Sequence, residues 1–163
     1  MFKISKRDLW ESSGSLARFG LLKFKGKSLA WKASRIHKAA TAILEKLNAE
    51  HNDEMIPTFG TEVKRTDAQG NVFTRYEVPG NVEDPNERKR ILKEYKAALD
   101  KLLDEECEIW GDPFTLDELP VEFWGRDEVK DDAGKIIQPE IKPMLDTQDI
   151  GALGWMIKGE SDG

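Results

Sequence analysis

The chain is 163 residues long, 34% charged and 39% hydrophobic, with a formal net charge of −6 at pH 7. That length fits one domain spanning 1–163, and five Trp and seven Phe supply enough apolar bulk to exclude a disordered chain. No apolar run approaches the ~20 residues that cross a bilayer, no apolar stretch follows the basic start as in a signal peptide, and the single Cys107 excludes an intrachain disulfide and fits a reducing cytoplasm.

The charge is polarised. Residues 1–40 carry ten Lys/Arg against Asp8 and Glu11 alone, whereas the rest of the chain carries fifteen against twenty-nine Asp/Glu. Opposite fields at the two ends point to charged partners or to other copies of the chain. Residues 1–27 form a basic segment in which Lys23-Phe24-Lys25 alternates as a strand does.

From Ser28 to about Met55, Leu29, Ala33, Ile36, Ala40, Ile43, Leu44 and Leu47 recur at spacings of three and four. This predicts an amphipathic helix, with Ser28 as N-cap and Pro57 and Gly60 bounding its far end. Thr61–Val78 reads as a β-hairpin in which Gly70 or Asn71 supplies the positive φ of the turn. Asp84-Pro85-Asn86-Glu87 then opens a second helix, with Asp84 as N-cap, Pro85 at the first position and Glu87 as capping-box carboxylate. Its stripe of Ile91, Leu92, Tyr95, Ala98, Leu99, Leu102 and Leu103 predicts antiparallel packing on the first helix. Residues 28–106 therefore read as a helical hairpin carrying a β-hairpin insertion.

Residues 107–160 read as an acidic, β-rich layer. Strands are expected at Cys107–Trp110 and Val121–Trp124, with a capping-box turn at Thr115-Leu116-Asp117-Glu118 between them. A second hairpin spans Glu128–Ile137, Pro139 and Pro143 mark an extended stretch, and Asp146 or Thr147 caps a short closing helix with Ile150, Leu153, Met156 and Ile157 inward. Ser161-Asp162-Gly163 is expected to fray. The two hairpins share Asp/Ala/Gly turns, which convergent turn chemistry explains better than duplication, because the surrounding helices do not match.

The search for chemistry is mostly negative. Two histidines, His37 and His51, and one cysteine form no metal-ligand spacing, and His51 beside Glu50, Asp53 and Glu54 reads as a solvated helix end. Gly26-Lys27-Ser28 lacks the upstream glycine and strand of a phosphate loop. Residues 104–132 hold twelve acids against Arg126 and Lys130, but no spacing marks a catalytic carboxylate pair. No metal, cofactor or catalytic residue is expected.

Two surfaces remain. Within the acidic region, Trp110, Phe114 and Trp124 lie among Glu108, Asp112 and Glu122, a mixture suited to docking on a basic protein. The alternative is that these aromatics close a core. Near the start, aromatics alternate with Lys23, Lys25, Lys27, Lys32 and Arg35, as in proteins that hold single-stranded nucleic acid. The alternative there is a basic face neutralised by the chain's own acids.

The order of elements is also familiar: Gly14-Ser15-Leu16, Leu22-Lys23-Phe24-Lys25-Gly26-Lys27 and a long helix, a Phe59-Gly60 break and hairpin, a helix ending Leu102-Leu103-Asp104-Glu105-Glu106, the strand Glu108-Ile109-Trp110, and a helix near Ile150-Gly151-Ala152-Leu153. It resembles a group of small uncharacterised proteins of tailed bacteriophages. The resemblance implies a phage origin and a non-enzymatic role, and carries over no functional residue.

The expected fold is α+β: two long antiparallel helices, a connecting β-hairpin and a small C-terminal β-rich layer with a short closing helix. The expected function is that of a cytoplasmic protein-interaction module with a basic partner, either an inhibitor of a host nuclease or defence complex or a virion-assembly accessory. The alternative is nucleic-acid association through the basic segment. A homo-oligomer built head to tail through opposite charges also fits, and no membrane contact is expected.

Overall fold

The structure, a computed structural model, describes residues 1–159; Ser161-Asp162-Gly163 lie outside the described residues. It is α+β, with a long helical run over residues 27–59 and small antiparallel sheets. Among the described residues, no helix is long and apolar enough to cross a membrane. Contacts divide the described residues into two compact units: residues 1–44 with 106–159, and residues 45–105.

The first unit joins the two ends of the chain. Strand β1 (Phe2–Ser5) pairs antiparallel with β4 (Glu106–Ile109), Phe2 opposite Ile109 and Lys3 opposite Glu108. Alternation explains the pairing: Phe2, Ile4 and Ile109 are buried, while Lys3 and Glu108, opposite in register, face solvent. Helix α1 (Lys6–Glu11) follows, capped by Ser5, which accepts the Asp8 N–H at 3.0 Å. Helix α2 (Ser13–Phe19) buries Leu16 and Phe19. The basic N-terminal segment is thus folded into the core. Lys23-Phe24-Lys25 is not a strand: Phe24 stacks on Phe114 at 5.3 Å and meets Phe19 at 5.6 Å, and this apolar anchoring overrides the local alternation.

Helix α3 (Lys27–Ala49) buries Ala33, Ile36, Ala40, Leu44 and Leu47 along the expected stripe. It starts one residue earlier than the sequence suggests. Gly26, with φ of 83°, offers its carbonyl to Ala30 N–H, so Ser28 lies inside the helix and caps nothing. In the same unit, Leu116–Glu118 forms a 3₁₀ turn with the expected capping box of Thr115 and Glu118. Val121–Trp124 is a helical turn, α6, rather than a strand. Pro120 fixes an extended N-cap, Met144 N–H bonds the Glu122 carbonyl, and Gly125 at φ of 74° ends the turn. A Cβ on Gly125 would stand 2.7 Å from Pro143 Cδ. With α6 helical, the C-terminal part is less β-rich than its composition suggests.

Strands β5 (Val129–Lys130) and β6 (Ile136–Gln138) form the second hairpin. The closing helix α7 (Thr147–Ala152) is capped by Asp146 through a full capping box with Asp149, and Leu153 and Met156 after it are fully buried. Asp149 also receives the Arg18 guanidinium in a two-pronged ion pair and the buried Ser15 hydroxyl at 2.7 Å. These bonds tie α2 to α7 and hold the Asp149 carboxyl well below the usual carboxylate range, Arg18 contributing most.

The second unit starts with the end of α3. There the helix widens into a π-turn, Glu50–Met55, before α4 (Ile56–Phe59). Pro57 gives the reason: it has no N–H for the preceding turn and its ring crowds the carbonyl there, which a wider turn relieves. Strands β2 (Thr61–Thr66) and β3 (Val72–Glu77) pair as expected, with Gly70 at φ of 85°. Helix α5 (Pro85–Leu103) has Asp84 as N-cap and Pro85 at its start, but Glu87 pairs with Arg90 and no capping box forms. Helix α5 packs on α4 and the π-turn, where Tyr95 meets Phe59 at 6.0 Å and hydrogen-bonds His51.

The two hairpin turns are built alike. The Asp67 carboxylate accepts from Gln69 and Asn71 N–H, and that of Asp131 from Ala133 and Lys135 N–H. Gly70 and Gly134 then take φ of 85° and 82°. One Asp-x-x-Gly turn chemistry accounts for the internal echo.

Candidate functional site

The structure redistributes the acidic-aromatic residues. Phe114 is fully buried, wedged between Phe19 and Phe24, so it belongs to the core and can touch no partner. Its ring is wide enough to fill the gap between α2 and the loop before α3, and burial of that area outweighs any use at the surface. Glu108 lies on β4 opposite Lys3. Trp124 and the half-buried Glu122 sit on α6, with the Trp124 ring edge-on to Phe123 at 4.7 Å. Trp110 and Asp112 leave the end of β4 together and line a different feature.

That feature is a groove of about 470 Å³ lined by Met1, Ser28, Trp31, Lys32, Arg35, Ile36, Trp110, Gly111 and Asp112. Its walls are α3 on one side and the exit of β4 on the other. Gly111 makes the close approach possible, since a Cβ there would lie 2.7 Å from Ile36 Cγ1. Trp31 and Trp110 stand 64% and 70% exposed on it, unusually high for indoles. The Arg35 guanidinium lies over the Trp31 ring at 4.7 Å, and among the described residues it has no ion pair.

Lys32 belongs to the scaffold. Its ammonium donates to the Pro113 carbonyl and the Glu118 carboxylate, both at 3.0 Å, and lies 4.5 Å from the Phe114 ring centre. The same bonds, after the Thr115 N–H, hold the Glu118 carboxyl below its ordinary range. Lys23, Lys25 and Lys27 are exposed and, among the described residues, form no ion pair. Of the basic set, internal neutralisation takes Lys32 and leaves the others to solvent.

A third surface escaped the sequence reading. Every residue from Arg126 to Glu140 is exposed, including Val129, Ile136 and Ile137 at 45%, 52% and 61%. These aliphatic groups stand among Asp127, Glu128, Asp131, Asp132 and Glu140 on the β5–β6 hairpin. The arm is closed at its base by a two-way backbone pairing of Arg126 with Ile141, both bonds 2.9 Å. The failing alternation of Lys135-Ile136-Ile137 was its signal: two adjacent aliphatics on a two-stranded ribbon cannot both face a core.

Among the described residues, no group of three or more His, Cys, Asp or Glu is placed to hold a metal ion. His51 bonds Tyr95 and the Asn52 side chain, and His37 lies against Gly20, where a Cβ would come within 2.7 Å of its ring. Cys107 is half-buried, donates to the Ile4 carbonyl, and has its thiol pushed up by burial. Compared with known proteins, the chain matches no family model, no curated protein and no solved structure.

Proposed function

We propose that this protein acts without catalysis, as a phage-type accessory that binds a protein with a basic surface through the Arg126–Glu140 arm and the neighbouring Trp124. The observation that supports this most is the arm itself: three large aliphatic side chains held in water on a ribbon with no buried residue. Each of these groups keeps about half of its surface in water, so a partner's surface that covers it recovers about half of the ~1.5–3 kcal/mol of full burial. Five acids against Arg126, Lys130 and Lys135 leave the arm at a net −2, with Lys130 paired to Glu128, which favours a basic partner. An inhibitor of a host nuclease or defence complex and a virion-assembly accessory are both forms of this role. The proposed acidic face thus keeps Trp124 and Glu122, gains Val129, Ile136 and Ile137, and loses Phe114 to the core and Glu108, Trp110 and Asp112 to β4 and its exit.

Affinity capture from host lysate tests it, with Ile136→Asp/Ile137→Asp as the comparison. The reading expects a basic protein retained by the native chain, released by salt, and lost with the variant. Equal recovery by both proteins removes the arm from the account.

A further inference from the structure

We propose that the Trp31–Trp110 groove is a second binding site, for single-stranded nucleic acid. It is independent of the arm. Bases would stack on the two indoles while phosphates follow the cations beside them.

Three observations converge. The first is aromatic: both indoles are more than half exposed and line the same groove. Single strands are held by such platforms because every base has a stacking face, whereas a duplex hides those faces in its own stack. The second is charge. Lys27, Trp31, Arg35 and Lys38 recur at spacings of four, four and three, which places them on one exposed face of α3, and Lys23 and Lys25 precede them. No acid occurs between residues 12 and 44. The third is availability. Among the described residues these six positions have no ion pair, and Arg35 is already stacked on Trp31, as guanidinium groups are beside bases.

The net charge of −6 is set by residues beyond 40; of these, Asp112 lines the groove and Glu118 is paired with Lys32. Asp112 is the one unfavourable charge in the groove, and it sits on the β4 side, across from the cations of α3.

The test is a titration of the full chain with a labelled oligothymidylate of about 16 nucleotides, read by anisotropy and by quenching of tryptophan emission. Trp31→Ala and Trp110→Ala are each expected to weaken binding about tenfold. Arg35→Gln should lower the slope of log affinity against log salt by about one, and Lys101→Gln should change nothing. Because both indoles are exposed, each variant should melt with the native chain. Lys25→Glu/Lys27→Glu provides a second test that leaves the groove's apolar groups intact and should also abolish binding at moderate salt. The proposal is overturned if the oligonucleotide does not bind at low salt, if both tryptophan variants bind as the native chain does, or if duplex binds equally well. Salt-sensitive self-association through the same residues, without oligonucleotide capture, would assign the groove to the acidic arm of another copy instead.

Discussion

Replacing Asp149 with alanine should be the most damaging polar substitution in the first unit. Its carboxylate receives two bonds from Arg18, one from the buried Ser15 hydroxyl at 2.7 Å and one from Asp146 N–H at 3.1 Å. Removing it strands Ser15 and breaks the capping box of α7. Loss of one partner of a buried ion pair costs about 3–5 kcal/mol, and Arg18, half exposed, can turn to water, so the lower figure of about 3 kcal/mol applies. For a chain of this size that is a fall of roughly 6–12 °C in melting temperature. Calorimetry or circular dichroism reads it directly.

The pH dependence adds a sign. The folded-state carboxyl is held below its unfolded value of about 3.9, so the native state gains stability above that pH and loses it as pH falls further. The gap between native chain and Asp149→Asn should therefore be full at pH 6 and close progressively below about pH 4. A gap under about 0.5 kcal/mol at neutral pH, or one that widens on acidification, would refute the reasoning.

Other outcomes follow from burial. Phe114→Ala should cost about 3–5 kcal/mol, whereas Trp110→Ala should stay within about 1 kcal/mol, and thermal melts separate the two. The Cys107 thiol, half-buried and raised in pKa, should react with a thiol reagent far more slowly in the native chain than in denaturant, followed by mass spectrometry. Gly125→Ala should destabilise by about 1–3 kcal/mol, because both its φ of 74° and Pro143 oppose a side chain; chemical denaturation reads it.

Local signals were legible in the sequence and distant ones were not. The stripe of α3, the Asp84 and Asp146 caps and the two Asp-x-x-Gly turns rest on neighbouring residues, and the structure carries each of them. The α5 stripe, by contrast, buries only Leu103, leaves Leu92 exposed, and packs on α4 and the π-turn rather than along α3. Phe2-Lys3-Ile4-Ser5 alternates just as clearly, yet its partner β4 lies a hundred residues away and leaves no local mark. Val121–Trp124 shows the limit of period: four residues cannot distinguish a strand from one helical turn, and Pro120 decided it. The same limit applies to the site. The sequence shows Trp110 among the acids of one region and Trp31 among the cations of another, but only the Gly111–Ile36 approach brings them to one groove. Phe114 had the same composition around it as Trp110 and went inside, because Phe19 and Phe24 offered it a cage.

The arm offers the most direct test of the proposed function. Since Arg126 and Ile141 already pair at its base, residues 128–139 can be replaced by a two-residue Gly-Gly turn without opening the fold. Every residue removed is exposed, so the melting temperature of the shortened chain should stay within a few degrees of the native value. The account predicts that this folded, shortened chain no longer retains the basic partner that the native chain captures. Undiminished, salt-sensitive retention by the shortened chain would contradict it.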